Sequence, residues 1–415
     1  MNTKLLSLPI GMQSFERLRS MNKLYVDKTR HLVKLVDENT QIFLSRPRRF
    51  GKSLTLSTLE AMFSGKTELF KGLAAEAWVA EQARHPCPVL SLSMARGRPA
   101  EDIRGFDISL YNDLMVLGRK RGLPMFRKDT EGALGAFKDV LEGLYDQEGP
   151  VAVLIDEYDK PILDNIGNVR IAETFRGYLR NLYLSLKDYD SHLRFVMLTG
   201  ISKFSKAGVF SAMNNLNDIS MDELFGAVVG YTQAELEDNF SGWIDVAAEK
   251  MELSRVNFLN QLKDYYDGFC FDGVTRLYNP FSIMQCLQKA RCENYWYESA
   301  SPSFIVAYMQ RHGIDNPEAY RHLKVTSDFV GIQEIERARP ESFLYQAGYL
   351  TIESREEQEL TLDYPNREVM NAISRIYLDI VYNVKNYGSI GSQLWRSLKD
   401  GDIVEAVRLY NTALA

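Results

Sequence analysis

A chain of 415 residues, 45% apolar and 25% charged, is long enough to bury a substantial core and favours two or three domains over one. Its formal net charge of -6 argues against general electrostatic attachment to nucleic acid, which scales with the phosphates that Lys and Arg neutralise. The four cysteines, Cys87, Cys270, Cys286 and Cys292, form no CxxC pair, and no stretch approaches the roughly 20 apolar residues of a membrane span or opens the chain as a signal peptide. The expectation is a cytoplasmic protein with no disulfide framework, zinc finger or membrane partner.

From about residue 41 to 200, short apolar runs alternate with longer helical patterns, the signature of a parallel sheet covered by helices on both faces. The expected strands are Gln41 to Ser45, Val89 to Met94, Val151 to Ile155 and Leu193 to Thr199. The expected crossover helices are Leu54 to Phe63, Ile108 to Lys120, Leu134 to Tyr145 and Ile171 to Leu186. In the last of these, Phe175, Tyr178, Leu179, Leu182 and Leu186 form one stripe. Thr232 with Glu235 at the reciprocal position predicts a capped helix to Phe240, so a second domain is expected to begin after Gly230. Asn257 to Met309 is aromatic-rich and mostly helical in pattern. Glu341 to Asp363 reads as a helix leading into a hairpin, Tyr349 to Glu353 with Glu359 to Asp363, an order that resembles a winged helix. Arg367 to Asn386 and Ile403 to Leu414 are helical. The expected units are thus residues 1–230, 231–365 and 366–415.

The first strand runs into Arg46-Pro47-Arg48-Arg49-Phe50-Gly51-Lys52-Ser53-Leu54. A strand, tight turn and helix aim backbone amides and the positive helix end at one spot, where a triphosphate can bind. Gly51 permits close backbone approach, Lys52 can reach the β and γ phosphates, and Ser53 can place its hydroxyl on Mg²⁺, as GxxxxGK[ST] requires. Arg46 stands where the generic motif has its first glycine. The apolar run Val151 to Ile155 then delivers Asp156 and Glu157 to the carboxyl end of its strand, where open α/β sheets place ligands. Asp156 is expected to hold Mg²⁺ and Glu157 to orient the attacking water. The added strand between the two motifs is expected to be Leu193 to Thr199, ending in Thr199 where it could sense the γ phosphate, with Ser202 and Lys203 as further candidates.

Other positions leave more than one reading open. Tyr25 and the pair Asp27 and Lys28 either line the base and ribose or form a local turn with an ion pair. Arg48 and Arg49 either contact phosphate, act as an arginine finger toward a neighbouring subunit, or are solvated. Arg119, Lys120, Arg121, Arg127 and Lys128 read as a solvated helix end before a nucleic-acid contact. Asn214 and Asn215 could cap a helix or reach the nucleotide. The five histidines suggest no constellation.

Tyr25 to Thr29, Arg46 to Ser53, Ile155 to Pro161, Leu198 to Ser205, Phe210 to Ser220, Tyr265 to Phe271 and Tyr278 to Ser282 together resemble the bacterial AAA-ATPase-like family usually fused to a C-terminal PD-(D/E)xK nuclease. The resemblance spans about residues 8 to 365. Within that family Arg-Pro-Arg-Arg-Phe-Gly-Lys-Ser is the usual loop, so Arg46 departs from the generic motif but not from its relatives. The resemblance implies an AAA-like ATPase core, akin to archaeal-type ATPases of the signalling group, followed by a helical and winged-helix region. The family's nuclease signature is not found in these residues, so nuclease activity is not assigned. The leading expectation is Mg²⁺-dependent ATP hydrolysis coupled to domain rearrangement. A nucleotide-gated switch with little turnover, acting on a nuclease, nucleic acid or protein partner through the C-terminal region, is the alternative; a degenerate loop on an interaction scaffold is the third. Oligomers remain open.

Overall fold

A computed structural model describes residues 5–95, 102–124, 131–203, 216–296, 303–314, 316–330, 338–380 and 387–414. Arg127, Lys128, Asn214 and Asn215, singled out above, lie outside the described residues, as do Phe204, Ser205 and most of the stretch from Phe210 to Ser220.

Five parallel strands form the central sheet: β1 (Gln41–Ser45), β2 (Val89–Ser93), β3 (Val151–Asp156), β4 (Leu193–Gly200) and β5 (Asn217–Asp218), in the order β2-β3-β4-β1-β5. β4 lies between the strand that leads into the phosphate loop and the strand that ends in the acid pair, as the sequence suggests. The register sets Ser45 beside Gly200 and Ile155 beside Leu198, so the ends of β1, β4 and β3 come level on one edge. β1 is buried at every residue and β3 at all but its last, which is why both read as unbroken apolar runs.

The crossover helices are Lys52–Phe63, Ile103–Arg121, Gly132–Glu148 and Val169–Asp188. The second begins five residues before its expected start, because Asp102 accepts from the Arg104 N–H and caps it. The stripe on the last helix is buried at Phe175, Leu179, Leu182 and Leu186, and Tyr178 is only partly buried, its hydroxyl donating to Asp107 at 2.6 Å.

Beyond Gly230, the capping box of Thr232 and Glu235 is formed and opens the helix Gln233–Lys250. The helices Arg255–Tyr266 and Pro280–Lys289 follow, separated by two short strands, β6 (Phe269–Cys270) and β7 (Arg276–Leu277). These three helices bury Leu236, Phe240, Phe258 and Ile283 in a second core, joined by Leu8, Leu24 and Val26 from the N-terminal segment. The helix Pro340–Ala347 ends at Gly348, whose φ of 87° suits glycine. It leads into β9 (Thr351–Glu356) and β10 (Glu359–Asp363), with β8 (Leu323–Thr326) completing a three-stranded antiparallel sheet. β8 carried no sequence signal: it is four residues long and half exposed. This region shares one continuous core with the central sheet through Phe271, Tyr345, Leu350 and Leu362. Among the described residues no helix is long and apolar enough to cross a membrane.

Candidate nucleotide site

Gly51 has a φ of 99°, the left-handed region open to glycine, and caps the start of the helix Lys52–Phe63. Conformation, not crowding, demands the glycine, since a Cβ there would meet nothing within 4 Å. Beside this turn lies a cavity of about 470 Å³, walled by Arg48 to Thr55 of the loop and helix, by Asp156 at the end of β3, and by Glu157 and Lys160 after it.

The acid pair and the loop meet at Asp156. Its carboxylate accepts from the Ser53 hydroxyl at 2.5 Å, the Thr199 hydroxyl at 2.7 Å and the Glu157 N–H at 3.0 Å. Three elements are thereby fixed to one group. Ser53 and Asp156 offer hard oxygen ligands side by side, the donor set that suits Mg²⁺. Lys52 is buried and donates to the carbonyls of Arg46 (2.7 Å) and Pro47 (2.8 Å), so it braces its own loop. Burial lowers its pKa, opposed by Asp156 and Glu157. Glu157 has a φ of 51°, a strained conformation for glutamate. Burial, and then the charge of Asp156, push its pKa up.

Behind the acid pair, buried Asp159 accepts from Ile201 N–H (3.0 Å), Ser202 N–H (2.7 Å) and the Ser202 hydroxyl (2.8 Å), holding the segment after β4. Ser202 thus faces Asp159, and Lys203 pairs with Asp218 at 3.1 Å, so neither lines the cavity. Thr199 stands behind Asp156 instead of in the wall.

Of the other residues singled out, Tyr25, Arg48, Arg49, Phe50 and Leu54 line the cavity, whereas Asp27, Arg46 and Pro47 do not. Asp27 holds a local turn, accepting from the Thr29 N–H (2.8 Å) and hydroxyl (2.6 Å) and from the Ala74 N–H (2.7 Å). Arg46 turns its side chain away, donating to the carbonyls of Ser45 (2.9 Å) and Ser220 (2.7 Å) and lying over the ring of Phe271. Its Nε and Nη2 have no hydrogen-bond partner, and burial lowers its pKa. The Arg46 carbonyl, not its guanidinium, belongs to the site.

Sequence reasoning passed over several wall residues: Pro9 to Gln13 in part, Val228 to Tyr231, and Pro280, Phe281 and Met284 of the helix Pro280–Lys289, which with Gln233–Lys250 and Arg255–Tyr266 forms the lid helices. The signal for the last group was present in the stretch Tyr278 to Ser282. Lys28 also lines the cavity and pairs with Glu235 at 2.6 Å while donating to the Ala227 carbonyl.

The profile of a family described as "Predicted AAA-ATPase" matches residues 9–210. A protein of Azotobacter chroococcum mcd 1, described as "Uncharacterized protein in vnfD 5'region", is 36% identical over 379 residues, which cover 89% of this chain and 70% of that protein. Among solved structures, the Aeropyrum pernix ORC1 protein in complex with DNA aligns at 10% identity over 84% of this chain and 92% of that one, with a TM-score of 0.30. The Aeropyrum pernix ORC2 protein in its ADPNP-ADP complexes aligns at 14% identity over 91% and 96%, with a TM-score of 0.33. Both likenesses are too loose to extend to function.

Proposed function

Because the chain belongs to the predicted AAA-ATPase family, we propose that it binds ATP with Mg²⁺ in the cavity beside the phosphate loop and hydrolyses it. The observation that carries this reading is the convergence of Ser53, Thr199 and the Glu157 N–H on Asp156, facing a cavity of about 470 Å³.

Each residue then has a task that its surroundings suit. The loop amides and the helix end receive the phosphates, and Lys52, already confined between two loop carbonyls, presents its charge without a search through rotamers. Ser53 and Asp156 would hold Mg²⁺, which supplies charge neutralisation for the phosphates when bound. Thr199 keeps Asp156 in one rotamer. Glu157 adjoins the site with a raised pKa, which makes it a better base for the attacking water than an exposed carboxylate. Tyr25, the Val228 to Tyr231 segment and Phe281 would enclose the base.

The test is Mg²⁺-dependent phosphate release from purified protein. No release from the wild type, or a rate unchanged by both Lys52→Ala and Glu157→Gln, would refute hydrolysis. A nucleotide-gated switch with little turnover is the second reading, favoured by the packing of the C-terminal region against the outer face of the phosphate loop. Tight ATP binding in calorimetry with negligible phosphate release selects it.

A further inference from the structure

The phosphate loop is covered on its outer face by the later part of the chain. The Arg46 guanidinium lies 4.5 Å from the Phe271 ring centre, and Phe50 stands edge-on to Phe269 at 4.9 Å and Phe271 at 5.5 Å. Pro47 abuts Gly348 so closely that a Cβ on that glycine would lie 2.5 Å from Pro47 Cγ. Directional contacts reach the loop's own backbone: the Gly230 N–H donates to the Phe50 carbonyl at 3.2 Å, and the Trp296 indole N–H donates to the Arg48 carbonyl at 3.1 Å.

A trans peptide points its C=O and N–H in opposite directions. The bond that draws the Arg48 carbonyl toward Trp296 therefore turns the Arg49 N–H away from it. Arg48 and Arg49 belong to the cavity wall, and Trp296 does not. Arg49 also has a φ of 68°, a conformation that a non-glycine residue keeps only when its surroundings enforce it.

Trp296 is itself anchored. Its backbone N–H donates to buried Glu368 at 2.8 Å, and the other oxygen of Glu368 accepts from the Ser282 hydroxyl at 2.8 Å. Ser282 adjoins Phe281 in the lid helix, and the Arg49 guanidinium lies over the Phe281 ring at 4.9 Å. A closed circuit results: loop, lid helix, Glu368, Trp296 and back to the loop.

We propose that Trp296 is a positioning residue for nucleotide binding: it fixes the peptide between Arg48 and Arg49 so that the Arg49 N–H serves the phosphates. Through the same bond the C-terminal region registers whether the cavity is filled. This rests on the ATP reading above.

The experiment uses the full chain with Mg²⁺-ATP as the probe. In Trp78→Phe/Trp243→Phe/Trp395→Phe protein, which keeps Trp296 alone, the emission is expected to shift on titration and to saturate at the calorimetric Kd. Trp296→Phe keeps the ring but lacks the donor, and is expected to raise Kd and KM about three- to tenfold with kcat little changed, the effect of one buried hydrogen bond. Glu368→Gln, which weakens the anchor and leaves the indole, is expected to give a smaller loss in the same direction. If the wild type binds Mg²⁺-ATP while Trp296 emission stays flat, the proposal is overturned whether or not Trp296→Phe folds; unchanged affinity in folded Trp296→Phe overturns it as well. A wild type that binds no Mg²⁺-ATP removes the ATP reading first, and this proposal with it.

Discussion

Glu157 is held in a left-handed conformation beside a second carboxylate, and both features carry a cost in stability. Its raised pKa means that the folded chain binds this proton more readily than the unfolded chain. The carboxyl's contribution to stability is therefore full below the unfolded pKa and is lost as pH rises through the folded one. At neutral pH the ionised form is a burden, so Glu157→Gln is expected to raise Tm by about 1–3 °C while cutting phosphate release about 100-fold or more. Melting and turnover measured on one preparation check both signs, and a lower Tm would contradict the assignment. The wild-type rate should fall on acidification from a pH above the ordinary carboxylate range, and Glu157→Gln should lack that limb. Thr199 gives a second residue-level outcome. Thr199→Val removes one of the bonds that orient Asp156 and replaces no residue of the cavity wall itself. It is expected to lower phosphate release about 10–100-fold, as loss of an orienting partner behind a metal ligand does, with the Mg²⁺ requirement shifted upward in a titration. At this scale the sequence was legible where residue type and position set the local geometry: Lys52, Ser53, Asp156 and Glu157 come together beside one cavity. It was not legible for Arg46, because a charged residue in a phosphate loop gives no local sign that its side chain will turn toward Ser220 and Phe271, 174 residues or more away.

The elements show the same division between local and distant causes. The capping box at Thr232 and Glu235 was readable because its two partners lie three residues apart. That Glu235 also neutralises Lys28, across 207 residues, was not. Glu235→Ala removes both roles and strands Lys28, whose side chain is 10% exposed. The expected loss is about 2–4 kcal/mol, between that of a lost N-cap and a broken buried ion pair, read from denaturant melts. The fold class followed from the apolar runs and their crossover helices. The short strands β6, β7 and β8 did not, since two to four residues carry no period. Gly348 joins the element scale to the site. Gly348→Ala would strain a φ of 87° and press on Pro47, so ATP affinity is expected to fall several-fold although no cavity residue is altered. Calorimetry against the wild type checks this, and unchanged affinity would show that the loop's outer face is slack.

Across the whole molecule, two cores meet at the cavity beside the phosphate loop. The larger joins the sheet to the antiparallel region after residue 303, and the smaller belongs to the lid helices. The sequence suggests successive units divided near residue 230, and packing links the two sides of that boundary. Leu8, Leu24 and Val26, from the first stretch of the chain, complete the lid's core and stand more than 200 residues from the helices they pack against. The lid is thus a discontinuous module. A chimera that exchanges residues 233–295 between relatives without residues 5–28 would pair mismatched halves of one core, whereas exchanging both together would preserve it.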